Sequence, residues 1–207
     1  MLTIFLVDDH VMVRRGLEAR LAATGRYRIA GEAASLSGAR GLLASPEFPP
    51  DLIILDLELG DENGLELIGT LEKQHVAAGE LSRGRIPAIL VYSVFDDPFR
   101  IQSALHMGAR GYVSKSAGEA EMLAAVEAVL AGRIWLDPRL ELKTKAMPDI
   151  YALFTKRERE ILELVQKRYD NGAIAKKLSL SLRTIENYLS RIYAKTGAAT
   201  RNELLAL

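Results

Sequence analysis

Asp51-Leu-Ile-Ile-Leu-Asp56-Leu-Glu-Leu-Gly60-Asp61-Glu-Asn-Gly64 decides how the chain folds, because it drives an unbroken apolar run into a lone carboxylate. Consecutive Leu and Ile residues with no polar alternation read as a strand buried on both faces, as central strands of parallel sheets are. The Gly, Asp and Asn that follow are turn formers, so the strand stops at Asp56. Ligands collect at the carboxyl ends of such strands. A carboxylate left there sits at the edge of the core and is available for chemistry.

Outward from this strand, strand and helix patterns alternate. Leu2–Val7 runs into Asp8-Asp9-His10, after which Val13, Leu17 and Leu21 recur at four-residue spacing, as on an amphipathic helix. Tyr27–Ala33 is a weaker strand and Leu36–Leu43 a helix, stopped by Pro46, Pro49 and Pro50. Gly64-Leu-Glu-Leu-Ile opens a third helix, His75 to Arg85 reads as a polar surface loop, and Pro87–Ser93 is another buried strand. Pro98 suits the first turn of a helix that ends at Met107-Gly108. Arg110–Lys115 is a short fifth strand, and Glu119–Leu130 is a closing helix with Met122, Leu123, Val126 and Val129 on one face. Five strands alternating with five helices imply right-handed crossovers and a parallel sheet covered on both faces, a doubly wound, flavodoxin-like α/β domain.

Beyond it, Asp137 to Asp149 carries Pro138, Pro148 and several charges on weak periodicity and reads as a linker. The chain divides on this reading into residues 1–133, a linker 134–150 and a second domain 151–207, where no strand pattern occurs. Thr155-Lys-Arg-Glu158 is a capping box opening a helix through Val165. Asn171–Leu178 is a second helix, Leu182–Thr196 a third ended by Gly197, and Thr200–Leu207 a fourth. Only Ser179-Leu-Ser181 joins the second to the third, the short turn of a helix-turn-helix in a small all-α domain.

Bulk properties narrow the function. The chain of 207 residues is 49% hydrophobic, enough to bury a core in one domain or two. Without cysteine there is no disulfide framework or thiolate metal site, and His10, His75 and His106 offer no zinc spacing. The N-terminus meets Asp8 and Asp9 too soon for a signal peptide, and no apolar run approaches a membrane span, so a soluble cytoplasmic protein is expected. The net charge of zero hides an asymmetry. From Tyr151 to Leu207 there are 11 basic and 6 acidic residues, which leaves 16 basic and 21 acidic before them. An acidic body joined to a basic domain suggests two tasks, the second on a polyanion.

Asp8 and Asp9 end the first strand and Asp56 the third, positions that can be neighbours across the switch point of a doubly wound sheet. Packed carboxylates need a cation, and an all-oxygen cluster with room for water suits Mg2+. Ser93 and Lys115 end the next two strands, a hydroxyl and a fixed cation that would suit a phosphoryl group on a carboxylate. Taken singly, an Asp at a strand end is usually a turn residue and a lone Lys on a short strand faces water. Taken jointly, Asp8-Asp9, Asp56, Ser93 and Tyr112-Val-Ser-Lys115 resemble the receiver domain of bacterial two-component response regulators over about residues 1 to 130. The resemblance implies that Asp56 is the phospho-acceptor for a sensor histidine kinase. Asp9 and Asp56 would bind Mg2+ directly, Asp8 through water, and Glu58 through its backbone carbonyl. Ser93 would move toward the phosphoryl group, Lys115 would pair with it, and Tyr112 would rotate inward as the switch, carrying the change to the surface of the fourth helix and fifth strand. The family often has Met-Pro-Gly where this chain has Leu59-Gly60-Asp61.

Residues 154 to 207 resemble the LuxR-type DNA-binding domain through Asn171-Gly-Ala-Ile-Ala-Lys-Lys-Leu and Arg183-Thr-Ile-Glu-Asn-Tyr-Leu-Ser-Arg-Ile-Tyr, and the whole chain resembles a NarL/FixJ-type regulator. Ile174, Leu178, Ile185, Leu189 and Ile192 are core positions. Off that face lie Arg183, Thr184, Glu186, Asn187, Ser190, Arg191 and Lys195. By family position Glu186, Asn187 and Ser190 face base edges, while Thr184, Arg191, Lys195, Lys176 and Lys177 hold phosphates. The expected function is a phosphorylation-controlled transcription regulator, a homodimer when active, on paired half-sites of double-stranded DNA. The alternative is a phospho-regulated protein-interaction module whose DNA face Glu186 has spoiled. An enzyme is not expected, since a phosphatase of the haloacid dehalogenase type would need Asp where Glu58 stands and no Walker loop or Ser-His-Asp set is present.

Overall fold

The computed structural model describes residues 1–43, 50–78, 87–145 and 154–196, with Arg201 and Leu204. The chain divides into two compact units, Met1–Asp96 with Ser103–Leu142, and Asp97–Gln102 with Lys143–Leu207.

Up to residue 145 the elements run β1 (Leu2–Val7), α1 (Val11–Ala23), β2 (Tyr27–Ala33), α2 (Leu36–Leu43), β3 (Leu52–Leu55), β4 (Glu58–Leu59), β5 (Glu62–Asn63), α3 (Leu65–Ala78), β6 (Ala88–Ser93), α4 (Pro98–His106), β7 (Gly111–Ser114), α5 (Glu119–Leu130), β8 (Trp135–Leu136) and α6 (Pro138–Lys145). The main sheet is parallel, in the order β2-β1-β3-β6-β7-β8. β1 pairs with β2 on one side and β3 on the other, so the winding reverses there and opens a crevice beyond the strand ends. All four β3 residues are buried. Successive side chains point to opposite faces, and Ile4, Leu6, Leu52, Ile54, Leu90 and Val113 share one core with Leu17 and Leu21 of α1 and Met122, Val126 and Val129 of α5. Burial of each such side chain stabilises by about 1.5–3 kcal/mol.

Three expectations need correction. The sheet has a sixth strand, because Trp135–Leu136 pairs with Gly111–Tyr112. The expected linker 134–150 therefore begins inside the fold, and Pro138–Lys145 is helical, with the buried Asp137 carboxylate accepting the Arg139 N–H at 2.9 Å and Leu140 buried. The loop expected from His75 starts later, since α3 continues to Ala78. Pro46, Pro49, the rest of that loop up to residue 86, the linker from residue 146 to 150, Gly197 and most of the expected Thr200–Leu207 helix lie outside the described residues.

The second unit contains α7 (Lys156–Gln166), α8 (Asn171–Leu178) and α9 (Leu182–Thr196). Thr155 and Glu158 close the capping box: the Glu158 N–H donates to the Thr155 hydroxyl at 3.3 Å and the Thr155 N–H to Glu158 Oε2 at 2.7 Å. Asp170 caps α8 by accepting the Ala173 N–H at 2.7 Å. Ser179, at φ +53, reverses the chain after α8, and the Ser181 hydroxyl accepts the Thr184 N–H at 3.1 Å to start α9. Ile161, Leu162, Val165, Ile174, Ile185, Leu189 and Ile192 form its core.

Candidate phospho-acceptor site and nucleic-acid face

The parallel ladder runs one residue past the strand ends and sets the site. The Asp56 N–H donates to the Val7 carbonyl at 2.8 Å, and the Lys115 N–H to the Ser93 carbonyl at 2.7 Å. Asp56 thus lies beside Asp8, and Lys115 beside Ser93. Lys115 reaches across the sheet edge, placing Nζ 2.6 Å from Asp8 Oδ2 and 2.7 Å from Asp56 Oδ2. Both carboxylates are only 4% exposed. Burial by itself favours loss of the Lys115 proton, but hydrogen bonds to Asp56 and Asp8 outweigh it and hold the ammonium above the ordinary lysine pKa.

Asp9 completes the acidic set. Its Oδ2 accepts the Gly60 N–H at 3.1 Å, while Oδ1 is buried and accepts no hydrogen bond. His10 Nδ1 is 2.6 Å from that Oδ1, an ion-pair distance without hydrogen-bond alignment. Ligand atoms of Asp8, Asp9, His10 and Asp56 all fall within 4.8 Å of one another. Mostly hard oxygen donors and one buried oxygen lacking a hydrogen bond fit a divalent cation. His10, which has no zinc spacing in the sequence, joins this cluster through the β1–α1 turn. Arg14 is a second residue that the sequence does not single out. It is buried and donates Nη1 to the Asp8 carbonyl at 2.5 Å and Nε to Glu32 at 3.1 Å, which fixes the turn and sets a cation behind the carboxylates. A lone Arg within an amphipathic helix gives no sequence signal of that role.

The remaining receiver residues are close at hand. Glu58 opens β4 with its N–H 3.4 Å from Asp56 Oδ1 and its side chain exposed. Ser93 is fully buried, its hydroxyl accepting a long 3.5 Å bond from the Phe95 N–H. Tyr112 is fully buried and donates to the Phe95 carbonyl at 2.9 Å, so the ring expected to rotate inward already occupies an inward position.

On α9, Arg183, Glu186, Asn187, Ser190 and Arg191 are exposed, opposite the buried Ile185, Leu189 and Ile192. Lys176 and Lys177 are exposed at the end of α8, Lys177 lying over the Tyr169 ring and donating to its hydroxyl at 3.2 Å. Like Lys177, two further expected phosphate contacts have other partners. Thr184 shares a 2.7 Å hydroxyl bond with Ser181 at the helix start. Lys195 is 2.7 Å from Glu158, whose side chain is 2% exposed. Burial pushes the Glu158 carboxyl up, but hydrogen bonds from Lys195 and Thr155 together hold it below the usual glutamate range.

A doubly wound sheet with acidic residues, a hydroxyl and a lysine at its carboxyl edge, on the same chain as a helix-turn-helix, defines a signal-receiving regulator class. Residues 4–127 match the response regulator receiver domain family, and residues 152–207 match the bacterial regulatory proteins, luxR family. The DNA-binding transcriptional activator DevR/DosR of Mycobacterium tuberculosis is 34% identical over 210 residues, covering 98% of this chain and 92% of that one. The transcriptional regulatory protein UhpA of Salmonella typhimurium is 31% identical, covering 99% and 96%. A solved LuxR-family two-component response regulator from Aurantimonas sp. SI85-9A1 superposes with a TM-score of 0.61 at 30% identity, covering 70% of this chain and 95% of its own. RcsB from Salmonella enterica serovar Typhimurium, solved on the rprA promoter with a phosphomimetic, shares the fold at TM-score 0.67, 22% identity and coverage of 99% and 96%. The chain belongs to the LuxR-type family of two-component response regulators, DNA-binding transcription regulators with a receiver domain. Among the described residues no helix is long and apolar enough to cross a membrane.

Proposed function

We propose that Asp56 takes a phosphoryl group from the phosphohistidine of a sensor kinase and that this controls DNA binding by α9. The observation that carries the reading is the Lys115 ammonium held between the buried carboxylates of Asp8 and Asp56. A fixed ammonium bridging two buried carboxylates is the cation that a phosphoryl group on Asp56 would pair with. An Asp56 oxygen attacks phosphorus, the nitrogen–phosphorus bond of the donor breaks, and the departing imidazole keeps the electron pair and takes up a proton. Asp8, Asp9 and Asp56, with the Glu58 carbonyl, would hold Mg2+. Bound there, magnesium neutralises the carboxylates and the phosphoryl oxygens.

Transfer moves negative charge from the Asp56 carboxylate onto the phosphoryl oxygens, and the Lys115 ammonium follows it. The Ser93 hydroxyl gives up its long bond to donate to the phosphoryl group, and Tyr112 holds the Phe95 carbonyl as that segment shifts. In the second unit Asn187 pairs with adenine, Glu186 accepts from cytosine and Ser190 reads a neighbouring base edge. Arg183, Arg191, Lys176 and Lys177 neutralise phosphates. The receiver runs from residue 1 past the sixth strand at Trp135–Leu136, and the DNA-binding domain comprises residues 151–207. The active form is a cytoplasmic homodimer on paired half-sites.

Acetyl phosphate with Mg2+ tests the acceptor. Phosphate-affinity electrophoresis should show a shifted band for the wild type and none for Asp56→Ala; equal modification of both refutes the assignment. Genome-wide footprints of the same two proteins test the link to DNA, with occupancy lost in the variant.

A further inference from the structure

The turn from β4 to β5 is a two-residue hairpin loop, Gly60-Asp61. Gly60 has φ +62 and Asp61 does not share a positive φ, the pattern of a type II′ turn with glycine first. That left-handed backbone puts the Gly60 N–H on Asp9 Oδ2. The hairpin carrying this donor is pinned elsewhere. Leu59 is buried, Glu62 Oε2 accepts the Leu36 N–H at 2.8 Å, and a Cβ at Gly64 would stand 2.4 Å from the Asp56 carbonyl oxygen. The donor therefore projects from a fixed bracket that touches the start of α2 and the backbone just after β3. With Oδ2 occupied, Asp9 turns Oδ1, which accepts no aligned hydrogen bond and lies 2.6 Å from His10 Nδ1, into the cluster that would meet a cation.

We infer that Gly60 is a positioning residue for the metal site: its backbone N–H sets which oxygen of Asp9 binds the cation and holds the carboxylate ready before the cation arrives. This rests on the reading of the acidic cluster as a magnesium site. A proline, which the family often has at this point, lacks an N–H and cannot reach a positive φ, so it could not provide the contact. The loop that departs from the family pattern thus contributes a contact of its own. Partners of this kind commonly alter metal affinity by ten- to a hundredfold, and a neutral, partly solvated donor belongs at the lower end, about tenfold.

Calorimetric titration of the full chain with MgCl2 tests it. Gly60→Pro removes the donor and should raise the Kd about tenfold, whereas Gly60→Asn keeps the donor, has open space around its Cβ, tolerates the positive φ better than other side chains and should stay within about threefold of wild type. Magnesium binding by Gly60→Pro as tight as wild type, or equal loss in Gly60→Asn, overturns the inference while leaving the metal reading intact. A wild type that binds no magnesium overturns both. Should Gly60→Pro fail to fold, metal-free amide exchange decides: the Gly60 amide should be protected in the wild type and released in Asp9→Ala. A Gly60 amide unprotected in the wild type refutes the contact.

Discussion

Replacing Lys195 by Met removes a charge while keeping most of the side chain, and leaves the Glu158 carboxylate 2% exposed without its cation. Breaking a fully buried pair costs about 3–5 kcal/mol, and breaking an exposed one about 0.2–1 kcal/mol. Lys195 is 31% exposed and Glu158 keeps its capping bond from the Thr155 N–H, so the loss falls between, about 2 kcal/mol. In a domain of this size that lowers Tm by roughly 10 °C. The pH dependence has a definite sign. A glutamate held below its ordinary pKa contributes stability that is present above the unfolded value and is lost as pH falls through the folded one. The gap between wild type and Lys195→Met should therefore close below about pH 4. Hydrogen exchange followed on peptides from Lys156–Gln166 and Leu182–Thr196 reports this unit by itself. A change under about 0.5 kcal/mol at pH 7 would show that the pair behaves as a surface pair. A double variant in which adding Glu158→Gln to Lys195→Met restores no stability would refute the buried-charge reasoning as well.

Three further outcomes are expected. Lys115 is held above its ordinary pKa, so its contribution is complete below about pH 10 and is lost as pH rises through the folded value; urea titrations should show this alkaline loss in the wild type and not in Lys115→Met. Gly111→Ala would place a Cβ 2.7 Å from Leu90 Cδ1 and 2.8 Å from Val129 Cγ2, an overpacking cost of about 1–3 kcal/mol, and an unchanged melting curve would contradict it. Arg191→Ala should weaken binding to all DNA sequences alike and take about one unit off the slope of log K against log salt in anisotropy titrations, whereas Asn187→Ala should cost about 1–3 kcal/mol of discrimination at one base pair.

Asp56, Asp8 and Lys115 are legible in the sequence because each ends a strand that announces itself: a run of Leu and Ile, or a short apolar segment bounded by Gly and charge. Parallel pairing then aligns those ends without further information. Trp135–Leu136 is hidden because two residues cannot display an alternation. Pro138–Lys145 is hidden because its charges blur the helical repeat. The Gly60 contact spans 51 positions and the Lys195–Glu158 pair 37, and no local pattern encodes a partner at such distance. For a related reason Lys195 gives no sign of its Glu158 partner. Its place beside Arg191 on α9 suggests a common task, but its four-carbon stem reaches back to α7, whose first turn buries a carboxylate.

The edge strand also makes the protein its own optical instrument. The chain has a single tryptophan, Trp135, and its backbone is laddered to Gly111 and Tyr112. The indole packs against the main core with Nε1 buried and no hydrogen-bond partner. Indole emission follows local polarity, and a donor shut away from water is sensitive to any opening around it. Displacement of the Tyr112 strand pulls directly on this one chromophore. Were phosphorylation of Asp56 to displace that strand as proposed, label-free emission should report it from a residue on the far edge of the sheet from β2, with β6 and β7 between it and the strand that ends at Asp56.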